Sequence, residues 1–158
     1  MSYEKDVQMA KDTCLRLLTY RPRTEYEMRC HLRQRGFGTD VINETIFRLS
    51  KVGLINDELF ARDWVRWRLN AKPVGREYIR YELRQKGVDN AIIEDTLRDY
   101  GDGDELEMAL VLARKRAGRC TGLTRRKLAG YLSRRGFSPG VVTTVCNTLA
   151  DNGGLDIS

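Results

Sequence analysis

"LRQRGF" (Leu32 to Phe37), "LRQKGV" (Leu83 to Val88) and "LSRRGF" (Leu132 to Phe137) are one phrase written three times, with starts 51 and 49 residues apart. The phrase reads as the end of a helix. A glycine just past the last helical residue enters the left-handed region without a Cβ clash, which is the place expected for Gly36, Gly87 and Gly136. Counting back puts Leu32, Leu83 and Leu132 at the third helical position from the end. A Schellman cap packs the residue after the glycine, here Phe37, Val88 or Phe137, against that leucine. The preceding cations, Arg35, Lys86 and Arg135, suit the negative end of the helix dipole.

The agreement continues on both sides. Five, six, ten and thirteen residues after each glycine stand Val41, Ile42, Ile46 and Leu49, then Ile92, Ile93, Leu97 and Tyr100, then Val141, Val142, Cys146 and Leu149. That spacing is one buried helical stripe. Asp89 and Ser138, the latter followed by Pro139, are good helix starts. Met28, Ile79 and Leu128 share a face with the cap leucines, and amphipathic segments over 5–19, 57–71 and 104–117 supply a further helix in each unit. A period near fifty residues with three helices per unit predicts an all-α chain of tandem three-helix repeats, about nine helices in an elongated, curved array. The units are 1–56, 57–101 and 102–158, the last with a short C-terminal tail.

Composition excludes several classes. The chain has 158 residues and only three prolines, and no apolar run approaches the ~20 residues that cross a bilayer. The first residues, MSYEKDVQMAKD, lack the apolar core of a secretory signal, so the expected compartment is the cytoplasm. Cys14, Cys30, Cys120 and Cys146 include no C-x-x-C pair and are expected reduced. Cys14 and Cys146 read as small core residues. Cys30 and His31 are adjacent and so point apart on a helix, with no second ligand pair at zinc spacing. His31 is the single histidine, without a nucleophile motif around it. Neither a G-x-x-x-x-G-K-[ST] loop nor a G-x-G-x-x-G turn is present. Asp102-Gly103-Asp104-Glu105 lacks the later ligands of a calcium loop and reads as a linker whose acids favour the next helix start. The reading is therefore not an enzyme, with no cofactor and no metal.

Charge remains. The formal balance is +6, which suits an anionic partner. Residues 1–56 carry 10 basic and 7 acidic side chains, residues 57–101 carry 9 of each, and residues 102–158 carry 9 and 6. Within the neutral middle unit the cations crowd together, with Arg66, Lys72 and Lys86 flanking Arg76, Arg80 and Arg84. Those last three, at i, i+4 and i+8, form a ridge of like charges that should repel one another and face an anion. A second cluster is Arg125, Arg126, Lys127, Arg134 and Arg135, preceded by Arg114, Lys115, Arg116 and Arg119. Trp64 and Trp67 share a face with Phe60, which predicts burial, whereas Tyr78 and Tyr81 are open to contacts.

The stretch GLINDELFARDWVRWRLNAKPVGREYIRYELRQKGV, Gly53 to Val88, resembles the signature region of the RecX regulatory proteins: glycine, apolar, Asn and Asp, then Phe-Ala, Trp-Val, a basic turn and ELRQKGV. The flanking units resemble that family too, though the third departs by a one-residue insertion and by its "GRCTG". The resemblance implies tandem three-helix repeats that bind the bacterial recombinase RecA. Such proteins lodge in the groove of the RecA–DNA filament and suppress ATPase, strand exchange and co-protease activity. It also points to Lys72, Arg76, Arg80, Arg84 and Lys86 as contact residues. A curved rod with basic edges could follow such a groove by occupancy alone, as a monomer. The alternative is a direct reader of single- or double-stranded DNA, with the middle helix laid in a duplex groove as in helix-turn-helix proteins. The neutrality of residues 57–101 weighs against it.

Overall fold

The threefold phrase ends three helices in the way its residues dictate. Gly36, Gly87 and Gly136 have φ of +88°, +80° and +84°. At the first, the Phe37 N–H donates to the Leu32 carbonyl at 3.1 Å and the Gly36 N–H to that of Arg33 at 3.0 Å. The same pair of bonds recurs at Gly87 and Val88 on Leu83 and Arg84, and at Gly136 and Phe137 on Leu132 and Ser133. Two further caps of this kind follow Leu49 and Leu149, with Gly53 and Gly153 in the left-handed position.

The computed structural model describes residues 2–100 and 102–156, without the side chains of Asp102 and Gly103. Among the described residues there are nine helices in chain order: α1 (Tyr3–Tyr20), α2 (Glu25–Gln34), α3 (Thr39–Lys51), α4 (Asp57–Asn70), α5 (Arg76–Gln85), α6 (Asn90–Asp99), α7 (Asp102–Arg119), α8 (Arg125–Arg134) and α9 (Pro139–Asp151). They form three tandem three-helix repeats with no strand among the described residues. The β-type pairing there is an isolated bridge between Thr124 and Asp156.

The sequence stripes become the cores. In the first repeat Val7, Ala10, Met28, Leu32, Ile46 and Leu49 are buried together. In the third, Ala109, Ala113, Leu128, Leu132, Val145 and Leu149 play those parts. In the middle repeat Ile79, Leu83, Ile93, Leu97 and Tyr100 are buried. Each large aliphatic side chain so removed from water contributes about 1.5–3 kcal/mol. Cys14 and Cys146 are buried free thiols, and burial pushes Cys14 up to about 11. Ser138 starts α9 through its carbonyl, which accepts from Val142 at 2.9 Å, while its hydroxyl makes no capping bond.

By compactness the chain falls into two units, Met1–Arg62 with Leu83–Ile93, and Asp63–Glu82 with Glu94–Ser158. The helices of the middle repeat are thus divided, because each part packs with the repeat it meets. Each unit holds one repeat-to-repeat junction, and the two junctions follow one plan. In the first unit the Thr24 hydroxyl donates to the Lys86 carbonyl at 2.6 Å, and Gly87 lies directly on Tyr26. Asp57, at the start of α4, accepts the Glu25 N–H at 3.0 Å. In the second unit the Gly75 N–H donates to the Arg135 carbonyl at 2.7 Å, and Gly136 lies on Tyr78. Glu105, near the start of α7, accepts the Ser138 N–H at 2.9 Å and pairs with Arg76. Among the described residues nothing comes within 4 Å of where a Cβ at Gly36 would stand. At Thr124 the corresponding seat is taken by the tail, where the Asp156 N–H donates to the Leu123 carbonyl at 2.8 Å.

Candidate functional site

Of the middle-repeat cations, Arg66 and Arg68 lie on α4 and Arg76, Arg80 and Arg84 on α5, while Lys72 and Lys86 fall in the turns that follow those helices, and most are engaged within the fold. Arg76 is half-buried, with its Nε 3.3 Å from Oε2 of Glu105, a carboxylate only 2% exposed. Arg80 donates to Glu94 at 2.7 Å and also pairs with Glu77, which holds its guanidinium still more firmly protonated. The exposed Arg84 donates to the Asn90 side chain at 3.2 Å. The three arginines therefore do not stand as a row of mutually repelling charges, since each has its own acceptor. Arg66 meets Asp63 at 3.5 Å on the surface, Lys72 is exposed, and Lys86 is half-buried with its carbonyl used by Thr24. No spacing in the sequence marks Glu105, since the acids at 102–105 read as a linker that favours the next helix start. The backbone of Asp102 begins α7 but its side chain is not among those described, whereas Glu105 is a buried cross-link.

The aromatic residues of α4 and α5 also differ from expectation. Phe60 is buried, but Trp64 is half-buried and Trp67 is 42% exposed, their rings 5.0 Å apart. The guanidinium of Arg68, ion-paired to Glu82, lies 4.7 Å from the Trp67 ring and 5.4 Å from the Tyr78 ring. An Arg that pairs with a carboxylate and stacks on two rings fixes both aromatic planes.

The third-repeat cluster is arranged otherwise. Arg126, Lys127 and Arg134 are exposed, and among the described residues no acid pairs with them. Together with Arg116 and Tyr131 they line a cleft of about 760 Å³ along α7 and α8. Arg116 and Arg135 lie over the Tyr131 ring at 4.8 and 4.5 Å. Arg125 turns aside to the Asn147 side chain at 2.6 Å. Among the described residues no three His, Cys, Asp or Glu side chains are grouped to hold a metal ion, and no helix is long and apolar enough to cross a membrane. What the arrangement offers chemically is unneutralised positive charge beside an aromatic wall.

His31 and Glu27 complete the electrostatics of the first repeat. Burial, then the charges of Arg35, Arg23 and Arg16, lower the His31 pKa, and its Nε2 is buried without a hydrogen-bond partner. Burial pushes the Glu27 carboxyl up. The Arg21 and Thr24 bonds with the charges of Arg21 and Lys86 outweigh that, and its pKa is lowered on balance.

Three family profiles match the chain in order: "RecX, first three-helix domain" over residues 10–49, the second over 56–97 and the third over 103–146. Regulatory protein RecX of Streptomyces lividans is 36% identical over 154 residues, covering 95% of this chain and 82% of that protein. Regulatory protein RecX of Mycolicibacterium smegmatis is 41% identical over 140 residues, covering 83% and 74%. Among solved structures, RecX from Lactobacillus salivarius superposes with a TM-score of 0.85 at 31% identity, over 93% of this chain and 98% of that one. With all three repeats matched in order and relatives this similar along most of their length, the chain belongs to the RecX family of regulatory proteins.

Proposed function

We propose that this chain binds the filament that the bacterial recombinase RecA forms on DNA, in the cytoplasm, and lowers the filament's ATPase, strand-exchange and co-protease activities by occupying its groove. The reading is carried by the family match across all three repeats. The chemistry of the surface is in keeping with it. A nucleoprotein groove is lined by phosphate and protein, and this chain offers exposed cations and arginine-stacked aromatics rather than a nucleophile beside a base. Occupancy requires no bond making, so no turnover of its own is assigned to it. Arg66, Lys72, Arg84 and Lys86 remain candidate contacts in the middle repeat. Arg76 and Arg80 could contact a partner only while keeping their internal acids.

The test is a titration against the cognate RecA on single-stranded DNA. ATP hydrolysis should fall at equimolar or lower ratios, and strand exchange should fall with it. An unchanged hydrolysis rate and unchanged strand exchange at excess protein would remove the proposal. Direct DNA binding by the middle repeat is the second reading, and the internal pairing of Arg68, Arg76 and Arg80 counts against it.

A further inference from the structure

We infer that the cleft along α7 and α8 of the third repeat is a binding site for the sugar–phosphate backbone of a single nucleic-acid strand. The inference is independent of the regulatory reading, because such a cleft needs no recombinase.

Two features of α8 run against local physics and agree in what they serve. Counting back seven, six and five residues from the cap leucines, α2 starts Glu25, Tyr26, Glu27, whereas α8 starts Arg125, Arg126, Lys127. A helix N-terminus carries positive dipole charge, so acids stabilise the first turn and cations do the reverse. The first turn of α8 holds no acid. The Lys127 N–H is capped by the Thr124 hydroxyl at 3.3 Å. The helix dipole and the three basic side chains still sum to one positive field with no acid in the first turn to cancel it, and an anion would relieve it.

The second feature is Gly130, a glycine in the body of α8, where glycine is the least favourable residue after proline. Its counterparts two residues before the cap leucine are Cys30 and Tyr81. A Cβ at Gly130 would come 3.1 Å from Nη1 of Arg134. The missing side chain thus lets Arg134 fold back along the helix and keeps the cleft open beside Tyr131. Arg116 reaches the same cleft from the last turns of α7, where a cation suits the dipole. One acid, Asp156, comes to the Gly122 edge, and the cleft lining itself holds none.

Four cations in a cleft with an aromatic wall and a glycine-widened floor fit a chain of phosphodiesters with an adjacent base or sugar against Tyr131. A single strand has free bases to set against Tyr131, whereas a duplex keeps its bases stacked inside. Cys120 lies on the lining, which supplies a reporter at the site.

The test uses the full chain and a fluorescent dT oligonucleotide in anisotropy titrations over a range of salt, with a duplex of matched length as the second arm. Arg126→Gln with Arg134→Gln should weaken strand binding about tenfold or more at low salt and flatten the salt slope by about 1.4, at ~0.7 per lost phosphate contact. Lys5→Gln with Arg16→Gln removes the same charge elsewhere and should do much less. Gly130→Leu should raise the unfolding temperature while lowering strand affinity, two changes that a purely structural glycine would not combine. Bound strand should slow alkylation of Cys120 and leave Cys30 unaffected. Equal losses in the two double variants, an unprotected Cys120, or a Gly130→Leu protein that binds as tightly as the parent would each overturn the site. Duplex binding as tight as strand binding would overturn its assignment to a single strand.

Discussion

Gly36, Gly87 and Gly136 share a φ near +84° but not a fate. All three were legible in the sequence, because a Schellman cap is a local contract between a leucine, a glycine and the residue after it. What the sequence could not tell is that two of them also serve as contact points. At Gly87 an added Cβ would run into the side chain of Tyr26, and at Gly136 into the backbone of Tyr78, while at Gly36 it meets nothing. Gly36→Ala should therefore cost only the left-handed penalty, about 1–2 kcal/mol. Gly87→Ala should cost about 1–3 kcal/mol more through overpacking, and denaturant unfolding of the two variants checks the difference. His31 gives a second prediction at this scale. Its pKa is lowered in the fold by burial and by Arg35, Arg23 and Arg16. As pH falls, the unfolded chain takes up the proton first, near its ordinary value of ~6.5, so stability declines from there down to the folded value. The urea midpoint should drop as pH falls below about 6.5 in the parent and change little over that range in His31→Gln. An equal drop in both would remove His31 as the cause.

Among the helices, α5 departs furthest from its sequence reading. Its i, i+4, i+8 arginines were visible, but their acceptors were not, because Glu94 and Glu105 lie 14 and 29 residues beyond Arg80 and Arg76. Periodicity reports which residues share a face. It is blind to the acid that another helix brings to that face. The consequence is measurable: Glu105→Gln removes the buried carboxylate that meets the half-buried Arg76 and weakens the bond from Ser138. Breaking such a pair should cost about 3 kcal/mol in denaturant unfolding, nearer the low end of its class because Arg76 keeps some exposure. A loss within a few tenths of a kcal/mol would show the pair to be incidental, as surface pairs are. Helix α4 shows the same blindness in its aromatics. Trp67 shares an apolar face by spacing, yet Arg68 and Glu82 hold it at the surface.

For the whole molecule, the threefold repeat, the nine helices among the described residues and the cores of the first and third repeats followed from one period near fifty residues. The grouping into two compact units did not, since it depends on which parts of the middle repeat pack with which neighbour. Charge was half legible. The middle repeat's balance of nine cations and nine acids foreshadowed internal pairing, while the excess in residues 102–158 settled on an unpaired cleft. The tail carries one more implication. Lys86 and Arg135 present their carbonyls to the helix starts of the preceding repeats, and at the last helix start that place is held by Asp156. A gene lengthened by duplicating a fifty-codon segment could add a unit between existing ones, where each newcomer finds an open berth. A unit docking on the start of α8 would first have to displace Asp156 from the Leu123 carbonyl.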